Sequence, residues 1–559
     1  MAWTFSTALV AFILAASAER VPREVKWAEG TIGPDGPWRA LSVQMGRDTN
    51  NIGLFPGGNW ETWVIEDDYC DEGTCYASKA GTYNEDSGST GGIQLDGGLD
   101  AYMLGLQLEG EPATRYLDNM VIGGITETNV SLALLKEQRI KYPGGQKVPF
   151  FAGCLSMGGN KAINQSFTPM SGPAINGSLP PGWMFENEWT PSNSFGMHIG
   201  SVQPSMSGSL WFGGYDQNRI VGDILSMSGG PRDGITLWDV GIEVIGSKSP
   251  FDFKSKDDLL AKGNSSIGSG LKVLIDGCSP YLSLPKSTCD NIAAELPVNF
   301  DESLGLYLWD TKSDKYEEIV SSASALVFSF ISGSNTDAVK INVPFMHLNL
   351  TLTAPLVDTP TPYFPCHVNG KGQYVLGRAF LQDAFIGANW HKEANTWWLA
   401  QAPGRTIQAT NNIISIEEKD KTISKGGNDW KASWTGVWDD EGVPAGTPTP
   451  TPTSTPKESS TAIPEDEGLS TGAKAGIGVG IAAGVLAMAG LGFFFWRRRR
   501  QQAPAPETSQ AAYTPASEAA YSANAAKWQS GWPPSELPHE RPPQEMQGTH
   551  TTQPRYELA

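Results

Sequence analysis

The chain has 559 residues, of which 60 are acidic and 40 are basic, and its formal net charge is −20. This acidic balance, with no basic stripe before residue 497, argues against a nucleic-acid partner.

Residues 1–18 are predicted to be a cleaved signal peptide. An apolar run from Leu9 to Ala16 is followed by small residues that end at Ala18, as at a signal-peptidase site. The alternative is an N-terminal membrane anchor, but the run is too short to span a bilayer and lacks a basic flank. The chain is therefore predicted to be exported.

Residues 31–403 show short runs of β-branched and aromatic residues separated by Gly, Pro, Asn and Asp. This pattern is typical of a mostly-β domain. Since about 370 residues exceed one hydrophobic core, two lobes are expected. We place them at residues 31–238 and 239–403, with the boundary near Ile235–Val244.

Five segments occur in an order that resembles the pepsin-like aspartic peptidases (family A1), in a divergent form of fungal type. They are Leu54–Val64, Phe151–Leu155, Gly208–Asp216, Val273–Pro285 and Tyr374–Leu381. The resemblance implies an all-β, bilobal pepsin-like fold with a cleft between the lobes. It also implies that each lobe supplies one aspartate to the cleft.

The two segments that match the active-site loops have lost most of the residues that the family uses. Pro56 stands where the first catalytic aspartate is expected, while Asp276 occupies the second position. Gly57 and Gly277 replace the Thr or Ser that follows each aspartate in the family, and Cys278 replaces the next glycine. The resemblance therefore makes Asp276 a vestigial catalytic candidate without a partner.

Peptide hydrolysis in this family needs two carboxylates that share one proton, so the loss of one predicts an inactive enzyme. Asp276 is then either a structural acid or a remnant of the catalytic pair. Glu61, Glu66 and Asp67 are the carboxylates closest in sequence to Pro56, but strand geometry places Glu61 away from the loop apex.

Six cysteines in an exported domain indicate disulfides. The resemblance implies that Cys70 pairs with Cys75. It also implies that Cys289 pairs with Cys366. For the remaining Cys154 and Cys278, two interpretations stay open: a bridge across the cleft, or two separate buried thiols. Five Asn-x-Ser/Thr sequons precede the membrane segment and predict N-glycans, at Asn129, Asn164, Asn176, Asn264 and Asn349.

Residues 404–441 are predicted to be a transitional segment, in which Trp430, Trp434 and Trp438 recur every four residues. On a helix they would form one stripe. Two roles remain open for these tryptophans: they form a sugar-binding strip, or they pack against the preceding domain. Residues 442–472, rich in Pro, Thr and Ser, are predicted to form an extended O-glycosylated stalk.

Residues 475–496 are predicted to form a single transmembrane helix. At about 1.5 Å per residue this run spans the hydrocarbon core, and four arginines at 497–500 favour a cytoplasmic C-terminal side. A GPI signal is excluded because the arginines and a polar tail follow the run. We expect a type I protein of the plasma membrane or cell surface, with a disordered cytoplasmic tail at 497–559 whose partner is unknown.

No cofactor or metal site is predicted. The six histidines have no metal-ligand spacing, and no phosphate-binding glycine loop or Gly-x-Ser-x-Gly motif is found. Three functions remain open: a non-catalytic surface protein that binds a peptide or a cell-wall glycan, an active membrane-tethered aspartic endopeptidase, and a structural component whose cleft is vestigial.

Overall fold

The computed structural model describes residues 19–438, apart from 47–49, 59, 71–73, 86–91, 100–102, 168–172, 263–266, 333–336, 369–372 and 408–409. The predicted signal peptide, stalk, membrane segment and tail lie outside these residues. Among the described residues, no helix is both long and apolar enough to cross a membrane.

Short strands dominate the described chain. The elements up to residue 228 are β1 (Arg23–Glu24), β2 (Leu41–Met45), β3 (Asn50–Gly57), β4 (Thr62–Ile65), β5 (Ile93–Leu99), β6 (Gln107–Glu109), β7 (Ala113–Ile122), β8 (Ile125–Leu135), β9 (Arg139–Lys141), β10 (Lys147–Pro149), β11 (Gly153–Ser156), β12 (Ile163–Phe167), β13 (Ile175–Ser178), α1 (Pro180–Glu186), β14 (Ser194–His198), β15 (Ser209–Phe212), β16 (Gly214–Asp216) and β17 (Val221–Ser228).

The described residues after 228 also form mainly short strands, together with three helices. These elements are β18 (Ile235–Val244), β19 (Ser255–Lys256), β20 (Leu271–Ile275), β21 (Leu282–Leu284), α2 (Lys286–Ala293), β22 (Val298–Asp301), β23 (Leu306–Trp309), α3 (Asp314–Ser321), β24 (Ser324–Ile331), β25 (Ala338–Pro344), β26 (Leu350–Leu352), β27 (Thr361–Phe364), β28 (Cys366–Val368), β29 (Val375–Leu376), α4 (Arg378–Leu381), β30 (Ala384–Asn389), β31 (Thr396–Gln401) and β32 (Ile413–Ser415).

The first lobe is built on a nine-stranded sheet in the order β12-β13-β8-β4-β11-β3-β2-β7-β5. In β2 the residues alternate between buried and partly buried, as expected where one face of a strand covers a core. The neighbouring β3 and β11 run parallel, with Leu155 opposite Pro56 and Cys154 opposite Phe55. This register brings the Pro56 loop and Cys154 to the same edge of the lobe.

The second lobe contains an eight-stranded sheet with a main order of β25-β24-β18-β20-β29-β21-β28, and a four-stranded sheet, β22-β23-β27-β26. Strand β18 pairs with β20 and β24, so the chain leaves the first half between Ser228 and Ile235. The predicted boundary at residues 238 and 239 falls inside this strand.

A six-stranded sheet, β1-β15-β14-β30-β31-β17, joins strands from both ends of the domain. Residues 384–401, which belong to the predicted second lobe, therefore pair with residues 194–228 of the first. Strand β1 forms one edge of this sheet, so the ordered fold begins before residue 31, the predicted start of the first lobe. The prediction of an all-β, bilobal pepsin-like fold is confirmed.

The three tryptophans of residues 430–438 pack against the second lobe and do not form a helical stripe. Residues 432–434 form a single 3₁₀ turn. Trp434 stacks on Trp438, with ring centroids 4.4 Å apart, and lies 5.2 Å from the ring of His347. Trp434 and Trp438 are both buried, so these residues anchor the end of the described chain to the domain.

Candidate functional site

The two loops that match the family's active-site loops meet at the floor of the cleft. Pro56 is the penultimate residue of β3 and is buried. Its carbonyl oxygen approaches the second loop so closely that a Cβ atom on Gly277 would lie 2.2 Å away from it. The glycine at 277 is therefore required by this contact, and a Thr or Ser would not fit there.

Asp276 follows β20 and is almost completely buried. Its Oδ1 accepts a hydrogen bond of 2.9 Å from the Cys278 backbone N–H, and its Oδ2 lies 3.6 Å from Nε of Arg232. Burial raises the pKa of the Asp276 carboxyl, while the charge of Arg232 acts in the opposite direction. The group that faces this carboxylate is a guanidinium and not a second carboxylate.

A disulfide occupies the space beside Gly57. A Cβ atom on this glycine would lie 1.9 Å from Sγ of Cys278 and 2.7 Å from Sγ of Cys154. Any side chain at position 57 would collide with the bridge. The family's hydroxyl residue and this disulfide therefore exclude each other in this cleft.

The cysteines form three disulfides, and no cysteine is free: Cys70–Cys75, Cys154–Cys278 and Cys289–Cys366. The prediction of disulfides is confirmed. Cys154 and Cys278, whose Cα atoms are 5.8 Å apart, come from β11 and from the loop after β20. The sequence left open whether these two cysteines form a bridge or remain separate thiols. In the structure they form a bridge between the lobes.

Arg232 is a site residue that sequence reasoning missed. It lies in a 3₁₀ turn, Pro231–Asp233, in the connection between the lobes, and its Nη1 donates a hydrogen bond of 2.7 Å to the Gly58 carbonyl. A Cβ atom on Gly58 would come within 2.1 Å of Arg232 Cδ, so the arginine stem rests on the first loop. The residues of this turn match no sequence motif that would have identified Arg232 as part of the site.

Arg378 supports the second loop from behind and is also buried. Its Nη1 donates hydrogen bonds of 2.9 Å to the carbonyls of Gly277 and Cys278. Its guanidinium lies 3.8 Å from the centre of the Phe55 ring, and Nη2 is 3.9 Å from Oδ2 of Asp35. An arginine inside the apolar run of α4 was a signal in the sequence, because a buried charge needs such partners.

Replacing Arg378 with Ala is expected to lower the free energy of unfolding by about 3–5 kcal/mol. The change leaves the buried Asp35 carboxylate without its cation and two loop carbonyls without their donor. Denaturant unfolding measures the loss, and Arg405→Ala serves as the control because Arg405 is exposed. A double change, Asp35→Asn with Arg378→Met, should cost less than Arg378→Ala alone. Equal stability of Arg378→Ala and the control would contradict this role.

A cavity of about 490 Å³ opens beside the disulfide, between the two loops and the connection that joins the lobes. This volume lies in the range of about 300–1,000 Å³ in which proteins bind small ligands. Residues from both lobes line it, including Pro56, Gly57, Gly58, Trp60, Leu104, Met157, Phe195, Arg232, Asp233, Asp276, Ile386 and Trp390.

The family model of the eukaryotic aspartyl proteases matches residues 42–402, which is most of the described domain. The chain belongs to this family. Among solved structures, it is similar to the aspartic proteinase from Irpex lacteus at 13% identity, with 68% of this chain and 98% of that chain covered and a TM-score of 0.42. No curated protein matches.

This family member carries a second carboxylate in its cleft that sequence reasoning missed. Asp233 lines the cavity, and its Oδ2 accepts a hydrogen bond of 2.7 Å from the Gly230 N–H. Glu61, in contrast, accepts hydrogen bonds from Asn164 and Gln165 and does not line the cavity. The expectation that Glu61 lies away from the loop apex agrees with this placement.

The predicted glycosylation sites differ in their surroundings. Asn176 is exposed on β13 and suits a glycan. The amide of Asn164 donates to Glu61 and to Ser131, and the amide of Asn349 donates to Tyr316. Asn129 is partly buried, and Asn264 lies outside the described residues. We expect Asn176 to be the most accessible of the four described sites.

Proposed function

We propose that this chain is a non-catalytic member of the aspartyl protease family that binds a ligand in its cleft at the cell surface. One observation carries the proposal: Asp276 faces Arg232 and Pro56, where hydrolysis would need a second carboxylate. A guanidinium cannot replace the second carboxylate, because it has no oxygen that could share a proton with Asp276. The loops are therefore built around a different pair of charges.

Ligand binding is favoured over a purely structural role because the cleft is not filled. The Cys154–Cys278 bridge occupies part of its floor, but a cavity of about 490 Å³ remains beside it. Large apolar side chains line this cavity together with a few polar ones, as in ordinary ligand sites. A vestigial cleft would be expected to fill with side chains, since voids weaken packing.

We also propose that the domain is carried on the outside of the plasma membrane as a single-pass type I protein. The apolar run at 475–496 and the arginines at 497–500 support this topology. The three disulfides suit an oxidising compartment. The stalk at 442–472 would separate the domain from the membrane surface.

The purified protein is expected to show no peptidase activity against casein or labelled peptides at about pH 3–6, with or without a statine-type inhibitor. Loss of one of two cooperating catalytic groups lowers the rate by about 10⁴-fold or more. An active pepsin-like enzyme, assayed in parallel at equal concentration, is the positive control.

Two variants identify the acids if hydrolysis is found. Activity that disappears in Asp276→Asn would contradict the proposal and support an active, membrane-tethered endopeptidase. Asp233→Asn tests whether the second cleft carboxylate takes part. Activity that survives both changes would be assigned to a contaminating protease.

A further inference from the structure

Two tryptophans form one wall of the cavity, and glycines set their positions. The Trp60 ring lies against Gly159, where a Cβ atom would come within 2.7 Å of it. Trp390 lies against Gly230 in the same way, at 2.3 Å, and its indole N–H donates to the Met157 carbonyl at 3.1 Å. The Trp390 ring is therefore held by a hydrogen bond, and the Trp60 ring lies against the backbone of Gly159.

Trp60 is available to a ligand. It is 46% exposed and it lines the cavity, so its ring face can be reached from solvent. Its neighbour Trp390 is partly buried. An aromatic face carries partial negative charge and attracts the weakly positive C–H groups of a partner. A flat ring in this position suits a ligand that presents a face of C–H groups.

Polar side chains of one type accompany these rings. Asn160, Gln373 and Asn395 line the same cavity, and each is exposed. A carboxamide offers both a hydrogen-bond donor and an acceptor. Adjacent hydroxyl groups of a ligand also donate and accept, so they can pair with a carboxamide through two hydrogen bonds. Because Arg232 and Asp276 lie close enough to pair at the floor, the charges there largely offset each other.

Three main-chain carbonyls at the floor already have a partner within the protein, which weakens their interaction with an extended peptide. Such a peptide is held mainly by hydrogen bonds to main-chain groups. Here the Gly57 carbonyl already accepts from the Met157 N–H, the Gly58 carbonyl from Arg232, and the Asp276 carbonyl from the Ser279 N–H. Recognition is therefore left chiefly to the side chains of the walls.

We infer that the cleft binds a neutral oligosaccharide, one sugar ring stacking on Trp60 while its hydroxyl groups bond to the carboxamides. This inference rests on the proposed ligand-binding function and specifies its ligand class. Stacked aromatic rings supply affinity for the C–H face of a pyranose, and Asn and Gln supply specificity for its hydroxyls. Asp233 offers a further acceptor at the same cavity.

The full-length protein in detergent is titrated with di- to hexasaccharides of glucose, N-acetylglucosamine and mannose, and binding is followed by calorimetry. At least one series is expected to bind, and Trp60→Ala should weaken that binding by about tenfold or more. Trp238→Ala is the matched control, because Trp238 is 44% exposed but lies outside the cavity. Equal thermal unfolding of both variants shows that the fold is intact.

The outcomes separate the inference from the function on which it rests. If a random peptide library binds in a Trp60-dependent manner and no oligosaccharide does, the sugar assignment is wrong and ligand binding stands. If neither class binds, both fail. If Trp60→Ala and Trp238→Ala bind the sugar equally strongly, the sugar site lies elsewhere and the inference is overturned.

Discussion

Replacing Cys154 and Cys278 together with Ala is expected to lower the free energy of unfolding by about 5 kcal/mol. The bridge closes a loop with a sequence separation of 124 residues, so its removal releases a large conformational entropy in the unfolded chain. Because the bridge joins the two lobes at the cleft floor, the variant should also lose rigidity there. Urea unfolding followed by near-ultraviolet circular dichroism measures the loss.

A second disulfide provides the matched comparison. Cys70 and Cys75 are separated by 5 residues, so the same loop-entropy relation predicts a loss of only about 2 kcal/mol for their double Ala variant. The ratio of the two losses in unfolding free energy tests whether loop closure is the source of the stability, and each loss by itself tests the predicted magnitude. Similar losses for both variants would show that loop closure is not the source of the stability.

Glu127→Gln is expected to make the protein more stable than the native chain at pH 8.5 and equally stable near pH 4.5. Glu127 is fully buried, and its Oε1 accepts a hydrogen bond of 2.6 Å from Ser178, while Oε2 has no hydrogen-bond partner among the described residues. Burial raises the pKa of this carboxyl to about 8. Glutamine keeps the acceptor and removes the charge.

The sign of the pH dependence follows from proton binding. Between pH 4.5 and about 8 the folded protein holds the Glu127 proton and the unfolded chain does not, so stability falls as the pH rises. This contribution is complete below pH 4.5 and is lost above about pH 8. At about 1.36 kcal/mol for each pH unit, the loss is on the order of 5 kcal/mol.

Unfolding free energies at several pH values between about 4.5 and 8.5 test this prediction. Burial lowers the pKa of His198 to about 3 and that of His367 to about 4, which destabilises the fold as the pH falls. The two histidines contribute equally to the native chain and to Glu127→Gln. Their contributions therefore cancel when the unfolding free energies of the two proteins are subtracted. Glu243→Gln is the control because Glu243 is exposed, and parallel curves for all three proteins would contradict the role of Glu127.

The cleft residues form a mutually dependent set. Gly57 is required by the disulfide, Gly277 by the Pro56 carbonyl, and Gly58 by the stem of Arg232. Changing Pro56 to Asp alone would add a carboxylate beside Arg232 but would restore neither hydroxyl residue. We therefore expect no peptidase activity from that single change.

The sequence by itself determined the fold class and the family, and it predicted that Pro56 replaces the first catalytic aspartate. These depend on local patterns: short runs of β-branched and aromatic residues between turn residues, and loop motifs short enough to be compared position by position. Pro56, Asp276, Cys154 and Cys278 could be named because each occupies a position within such a motif. Cys154 and Cys278 left two interpretations open, because cysteine pairing depends on distances in space that the sequence does not contain.

Only the tertiary structure decided what faces these residues. Arg232 reaches the Gly58 carbonyl across a sequence separation of 174 residues, and no local pattern marks such a contact. The raised pKa of Glu127 depends on burial that neighbouring strands create. The cavity beside Trp60 exists because glycines of distant segments meet there. Charge environment and empty space are properties of packing, and packing is set by residues far apart in the chain.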